Sequence, residues 1–159
     1  MLWIYKSERQ QKNDYKTVDK LMCKLHNIHA NNRPDLYQNI AQLYTYGDYI
    51  EKLKEENLTI FVASNGDEIA GICIITFRIS ANNPAMVSSF IAYIDGICVS
   101  DEYQGLGVGS KLYQYAKQLA EARGAKRLEL MAWDFNKNAL EFYKHKGMKT
   151  QRLFLEVNL

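Results

Sequence analysis

Tyr103-Gln104-Gly105-Leu106-Gly107-Val108-Gly109-Ser110 stands between an apolar run, Ser88 to Val99, and a stretch in which Leu112, Tyr115, Ala116 and Leu119 recur at helical spacing. The pattern predicts a strand, a glycine-rich turn and a helix stopped by Gly124. Such a turn suits an anion. Glycines let the backbone bend and approach a ligand, and the first N–H groups of the helix lack partners at the positive end of its dipole. A phosphate or pyrophosphate is the expected guest. The dinucleotide fingerprint GxGxxG fails because Ser110 stands where its third glycine would be. The Walker loop fails because Ser110-Lys111 is in the wrong order at the wrong spacing.

Working outward, Arg127 to Trp133 reads as a strand, Lys137 to Lys146 as a helix stopped by Gly147, and Lys149 to Val157 as a last strand. Upstream, Leu2 to Lys6 reads as a strand and Tyr15 to Ala30 as a helix that Pro34 terminates. Val18, Leu21, Met22, Leu25 and Ile28 share one face of it. A second helical region is expected from Asp35 to Glu56, broken at Gly47-Asp48. Leu58 to Ala63 and Glu68 to Ile79 are strand-like and flank Ser64-Asn65-Gly66-Asp67, where Asn65-Gly66 signals a hairpin. Asn82, Asn83 and Pro84 break the sheet before the run that leads to the turn. A hairpin meander followed by two strand-helix-strand crossovers implies an α/β fold, a mixed sheet flanked by helices. At 159 residues, with no repeat and no linker-like segment, one domain over 1–159 is expected.

Composition narrows the partners. Twenty Lys+Arg against eighteen Asp+Glu give a net charge of +2, too balanced to point to nucleic acid. Met1-Leu2-Trp3-Ile4-Tyr5-Lys6-Ser7-Glu8 has no basic segment followed by a long apolar one, and the apolar run Ile69 to Ile75 is too short for a membrane span. The three cysteines, Cys23, Cys73 and Cys98, form no CxxC pair, so reduced thiols in a cytoplasmic protein are expected, with no disulfide framework and no metal. Cys23, His26 and His29 recur every three residues but drift around the helix without a completing carboxylate, and read as a partly exposed face.

A second segment decides between phosphate loops. Asn136-Lys137-Asn138-Ala139-Leu140-Glu141-Phe142-Tyr143-Lys144-His145-Lys146-Gly147-Met148 puts Asn136 and Tyr143 on one side of a helix with the small Ala139 between them, a groove for a slender chain. Gln104 to Gly109 resembles the [Q/R]-x-x-G-x-[G/A] signature of the GNAT superfamily of N-acetyltransferases, and Asn136 to Met148 resembles that family's N-x-x-A-x-x-F-Y-x-x-x-G-F segment. The close resemblance runs from Ile94 to Met148. Gln104 stands where arginine is common, and Met148 where phenylalanine is usual.

The resemblance implies a central mixed, mostly antiparallel sheet flanked by helices, and acetyl-coenzyme A as co-substrate. It implies that Gln104, Gly105, Leu106, Gly107, Val108, Gly109 and Ser110 hold the pyrophosphate. Ile97, Cys98 and Val99 would offer backbone N–H groups to the oxyanion, Asn136 and Ala139 would meet the pantetheine arm, and Tyr143 would sit near the sulfur. One or two of Lys111, Lys117, Arg123, Lys126 and Arg127 would meet the 3′-phosphate. In the expected chemistry a neutral amine attacks the thioester directly, Tyr143 protonates the leaving thiolate, and Asp95 takes the amine proton or positions the substrate. Glu129 is a second candidate base, and Cys98 reads as a buried strand residue rather than a nucleophile. Tyr37, Tyr44, Tyr46 and Tyr49 lie where the family binds its acceptor, and with Asp35 and Asp48 they would suit a cationic amine. The expected activity is acetyl transfer to a primary amine of a small molecule or peptide. The alternatives are protein N-terminal or lysine acetylation, and a non-catalytic acyl-coenzyme A sensing module. A homodimer is plausible by resemblance alone.

Overall fold

The computed structural model describes residues 2–6, 11–80 and 83–159. Five strands pair in chain order: β1 (Leu2–Lys6), β2 (Leu58–Asn65), β3 (Glu68–Ile79), β4 (Phe90–Val99) and β5 (Arg127–Leu130). The first four are antiparallel, and β5 runs parallel to β4. Helices α1 (Gln11–Asn32) and α2 (Tyr46–Lys54) precede β2, α3 (Val108–Ala122) crosses from β4 to β5, and α4 (Lys137–His145) follows.

The sheet separates two cores. One joins Phe61, Ile75, Ile94 and Leu112 with α3, and the other joins Val18, Tyr49, Ile60 and Ile72 with α1 and α2. Strands β2 and β3 are apolar on both faces, which explains their near-continuous runs of buried Ile, Val, Phe and Cys. In the β2–β3 hairpin Asn65 pairs with Glu68, so the two loop residues are Gly66-Asp67 and Gly66 alone takes positive φ. The expected turn is there, shifted by one residue.

Four expectations are corrected. The second helix is not broken at Gly47-Asp48, since α2 runs through both and Asp48 completes its N-terminal capping box with Thr45. Residues 35–45 form no helix, although Leu36, Ile40, Leu43 and Tyr44 have helical spacing. Their backbone is instead gripped by side chains of α1: Asn27 both accepts from Ile40 N and donates to its carbonyl, at 2.9 Å each, and Asp19 accepts from Leu43 N and Tyr44 N. Those bonds replace the helical ladder. β5 ends at Leu130, short of Trp133. Residues 149–159 form no strand, so the chain has one strand-helix-strand crossover rather than two. Of the sheet-breaking residues, Asn82 lies outside the described residues. No helix among the described residues is long and apolar enough to cross a membrane.

Candidate active site

The site follows from how β4 and β5 part. Their pairing runs from Ile91–Arg127 to Ile94–Leu130 and stops. Beyond it β4 continues to Val99 paired only with β3, so Ile97, Cys98 and Val99 border a wedge on the other side. Because each antiparallel ladder uses alternate N–H groups, some of those in this stretch face the wedge. The parting coincides with a bulge: Ile74 pairs with Gly96 and Ile75 with Ile94, leaving Asp95 as the extra residue. A bulge bends the strand and re-aims the inserted side chain.

At the wedge mouth, Gly105 (φ 75°) and Gly107 (φ 78°) take left-handed conformations that L side chains resist. Gly107 caps α3 without any side-chain cap. A Cβ at Gly105 or Gly107 would meet nothing within 4 Å, so the turn presents bare backbone. The first N–H groups of α3, from Val108, Gly109 and Ser110, open onto it as a concave donor set that fits a pyrophosphate. Gly109 differs. It lies within α3, where an added Cβ would make ordinary contact, 3.7 Å from Val99 and 3.8 Å from the Phe142 ring, so neither space nor backbone conformation requires glycine there. Leu106 is 68% exposed at the rim. Gln104 donates to Asp101 Oδ1 at 3.0 Å, so its amide nitrogen is engaged within the turn.

Asn136 caps α4, its Oδ1 accepting from Ala139 N at 3.2 Å. That leaves its amide nitrogen for a ligand. Tyr143 and Phe142 pack toward the sheet, and the Tyr143 ring lies 6.2 Å from that of Tyr113. Burial pushes the Tyr143 phenol well above its ordinary pKa, with Cys73 and Tyr113 adding smaller effects. Met148 packs against the same core, as a phenylalanine replacement should.

Asp95 is solvent-accessible, yet the surrounding atoms displace enough water to raise its pKa. A short hydrogen bond from the Thr76 hydroxyl, and the charges of Arg78 and Lys52, oppose that rise. The phenols of Tyr44 and Tyr93 both feel the Asp95 charge. Lys52 Nζ sits 5.4 Å over the Tyr44 ring and Arg78 lies 4.2 Å over that of Tyr93. Asp95 thus shares its surroundings with two phenols whose ring faces are covered by cations.

Other expected residues find other work. Glu129 accepts from Arg127 at 2.9 Å, which makes it a poor base. Asp35 is held by Arg33 and Asp48 by the Thr45 capping box, so neither is free for a cationic acceptor. Tyr49 is fully buried, whereas Tyr46 packs edge-on to Tyr15. Tyr37 joins His26, His29 and Trp133 in an aromatic cluster, in which His26 and His29 stay partly exposed as expected. Cys23 is buried there, and no group of three metal-ligating side chains occurs among the described residues. Burial pushes the Cys98 thiol up to about 11, which suits a packing residue rather than a nucleophile. Arg123 lies 4.3 Å over Phe77, and Lys117 faces Glu121, while Lys111 on the first turn of α3 is exposed and makes no ion pair among the described residues. Sequence reasoning missed Lys24, which reaches from α1 to the carbonyl of Val99 at 3.0 Å and to Asp101 at 2.6 Å and ties α1 to the turn. It also missed Thr76, Arg78 and Tyr93, which only strand register brings beside Asp95.

Comparison with known proteins gives a family. The Acetyltransferase (GNAT) family matches residues 23–148. A thialysine N-epsilon-acetyltransferase of Bos taurus is 29% identical over 86 residues, 54% of this chain and 51% of that protein, so the match spans about half of its length. An N-alpha-acetyltransferase of Sulfurisphaera tokodaii is 25% identical over 146 residues, 90% of this chain and 85% of that protein. A mutant form of the BH1408 protein from Bacillus halodurans has the same fold, with a TM-score of 0.90 over 99% of each chain at 24% identity.

Proposed function

The chain belongs to the acetyltransferase (GNAT) family, and from that premise we propose that it transfers the acetyl group of acetyl-coenzyme A to a primary amine of a small molecule or peptide. The observation that carries this reading is the wedge itself. An uncapped α3 N-terminus stands at its mouth, the half-buried Tyr143 packs on the α4 side, and the bulged Asp95 marks the point where β4 and β5 part. The relatives, a thialysine N-epsilon-acetyltransferase and an N-alpha-acetyltransferase, support an amine acceptor.

Acetyl-coenzyme A supplies an activated acyl group on a thiol that can leave. The N–H groups of Val108, Gly109 and Ser110, with Gly105 and Gly107 setting the turn, hold its pyrophosphate, and Lys111 adds a cation. The amide nitrogen of Asn136 and the space above Ala139 guide the pantetheine arm. Wedge-facing N–H groups of Ile97, Cys98 and Val99 donate to the carbonyl oxygen as it gains charge. Asp95, with Thr76 fixing its carboxylate, accepts the amine proton at Oδ1 or through a water. Tyr143 donates from its hydroxyl to the departing sulfur. Its raised pKa keeps the proton in place until negative charge develops on the sulfur beside it. The unpaired cysteines suit a reducing compartment, and we place the enzyme in the cytoplasm, where two copies associate.

Free-thiol release tests the reading, with acetyl-coenzyme A and a panel of small amines and peptides with free N-termini. Release should depend on the amine, and competition between the two panels identifies the acceptor class. Tyr143→Phe should lower kcat by roughly 100-fold or more while leaving cofactor affinity unchanged. Tight cofactor binding without release for any amine would establish a sensing module instead.

A further inference from the structure

Strand alternation sets the Asp95 carboxylate among cations. Thr76 and Arg78 alternate with the core residues Ile75 and Phe77 on β3, so they share the face that carries Ile72 and Ile74 under α1 and α2. Register places Tyr93 opposite Thr76, and Glu129 opposite Tyr93. The helices leave this part of the sheet open: Arg78 and Asp95 are exposed, and Thr76 and Tyr93 are only half-buried. Three cations reach it from three elements. Arg78 of β3 lies 4.2 Å over the Tyr93 ring. Lys52 of α2 sits over Tyr44, and its charge acts on Asp95. Arg152 arrives from the segment after α4, which is held by Gln151 donating to Glu129 and by Glu156 meeting Arg33. Burial raises the pKa of the Tyr93 phenol, and the charges of Arg78 and Arg152 oppose that rise.

Most charges around this face are already matched. Arg127 donates to Glu129, Lys52 has Glu55 at 3.8 Å, Asp35 is held by Arg33, and Asp48 by Thr45. Arg78 and Arg152 differ: among the described residues neither forms an ion pair or donates a hydrogen bond. A ring face meets part of the charge of Arg78 and none of its N–H donors. Two guanidinium groups that act on one phenol also repel each other unless an anion stands between them. Carboxylate and phosphate oxygens match the fork of such donors. Resting on the acetyl-transfer reading above, we propose that the acceptor is a small amine that also carries a carboxylate or a phosphate, and that Arg78 and Arg152 hold this anion while Asp95 faces the amine. Two residues of strand, about 7 Å, separate Thr76, which bonds Asp95, from Arg78. The anion therefore stands several bonds from the nitrogen. A second cation in its place meets repulsion from Arg78, Arg152 and Lys52, so the same residues that select an anionic amine reject a diamine.

The test uses the full chain and four acceptors that share one six-carbon spacer: 6-aminohexanoate, 6-aminohexyl phosphate, hexylamine and hexane-1,6-diamine. Free-thiol release with acetyl-coenzyme A gives kcat/KM for each, and calorimetric titration with coenzyme A present reads acceptor binding apart from turnover. At least one anionic amine should exceed hexylamine by roughly tenfold or more, chiefly through KM, and the diamine should fall below hexylamine. The carboxylate and phosphate arms show which anion is taken. R78Q should lower the ratio of the preferred anionic amine to hexylamine by roughly tenfold and R152Q by roughly threefold. R78E should place the diamine above 6-aminohexanoate. Ratios are read because Arg78 also acts on the ionisation of Asp95, which affects every acceptor alike. Both arginines are exposed, and unchanged circular dichroism verifies the fold. Preference for hexylamine or the diamine, ratios indifferent to R78Q or R152Q, or no calorimetric binding of either anionic amine would each overturn the inference and leave acetyl transfer standing. No thiol release with any amine would overturn the acetyl-transfer reading and the inference with it.

Discussion

Strands β2 to β4 and the β5–α4 region are built on the same chain by opposite means. In the first, long antiparallel registers place Ile60, Phe61, Val62, Ile72 and Ile75 at or near complete burial between helices on both faces. In the second, β5 is four residues long and pairs parallel on one edge, and α4 has no buried residue at all. Burial of apolar surface is worth about 25 cal/mol per Å², so most of the stability resides in the first region. The second is left open beside the wedge between β4 and β5. Fold and function thus use different parts of the sheet, and the boundary between them is the bulge at Asp95.

The contrast predicts unequal costs. Phe61→Ala, at a fully buried position 4.8 Å from the Tyr115 ring, should lower stability by about 3–5 kcal/mol in urea unfolding. Phe142→Ala on α4 should cost less than half as much, and equal losses would erase the distinction between the regions. Asp95→Asn should lower kcat/KM by roughly 100-fold and remove the acid limb of its pH profile. The sign follows from the raised pKa: the base is active when ionised, so wild-type activity falls as pH drops through a value shifted upward from that of an ordinary aspartate. An unchanged limb in the variant would reduce Asp95 to a positioning residue. Gly107→Ala should cost about 1–2 kcal/mol through its left-handed backbone alone. Gly109→Ala, with ordinary φ inside α3, should be neutral or mildly stabilising. Thermal unfolding of the two variants separates the turn glycine from the helix glycine.

What the sequence made legible was local. The glycine turn, the Asn136 cap and the β2–β3 hairpin each depend on a few adjacent residues whose backbone preferences need no distant partner. Residues 35–45 misled because apolar spacing is necessary but not sufficient for a helix: Asn27 and Asp19, both on α1, claim the backbone groups a helix would use. The 149–157 segment misled differently. Its apolar alternation suits a strand, but no strand among the described residues pairs with it. Thr76, Arg78 and Lys24 were invisible because their relation to Asp95 and Val99 exists only after strand register and helix docking are fixed.

The most direct test of the account is thermal unfolding with and without acetyl-coenzyme A at about 100 times a micromolar dissociation constant. Binding in the wedge should add roughly 2.7 kcal/mol and raise the midpoint by about 5–10 °C, with Gly107→Ala showing a smaller rise. No rise with acetyl-coenzyme A would contradict the assignment of the turn and the wedge to this co-substrate.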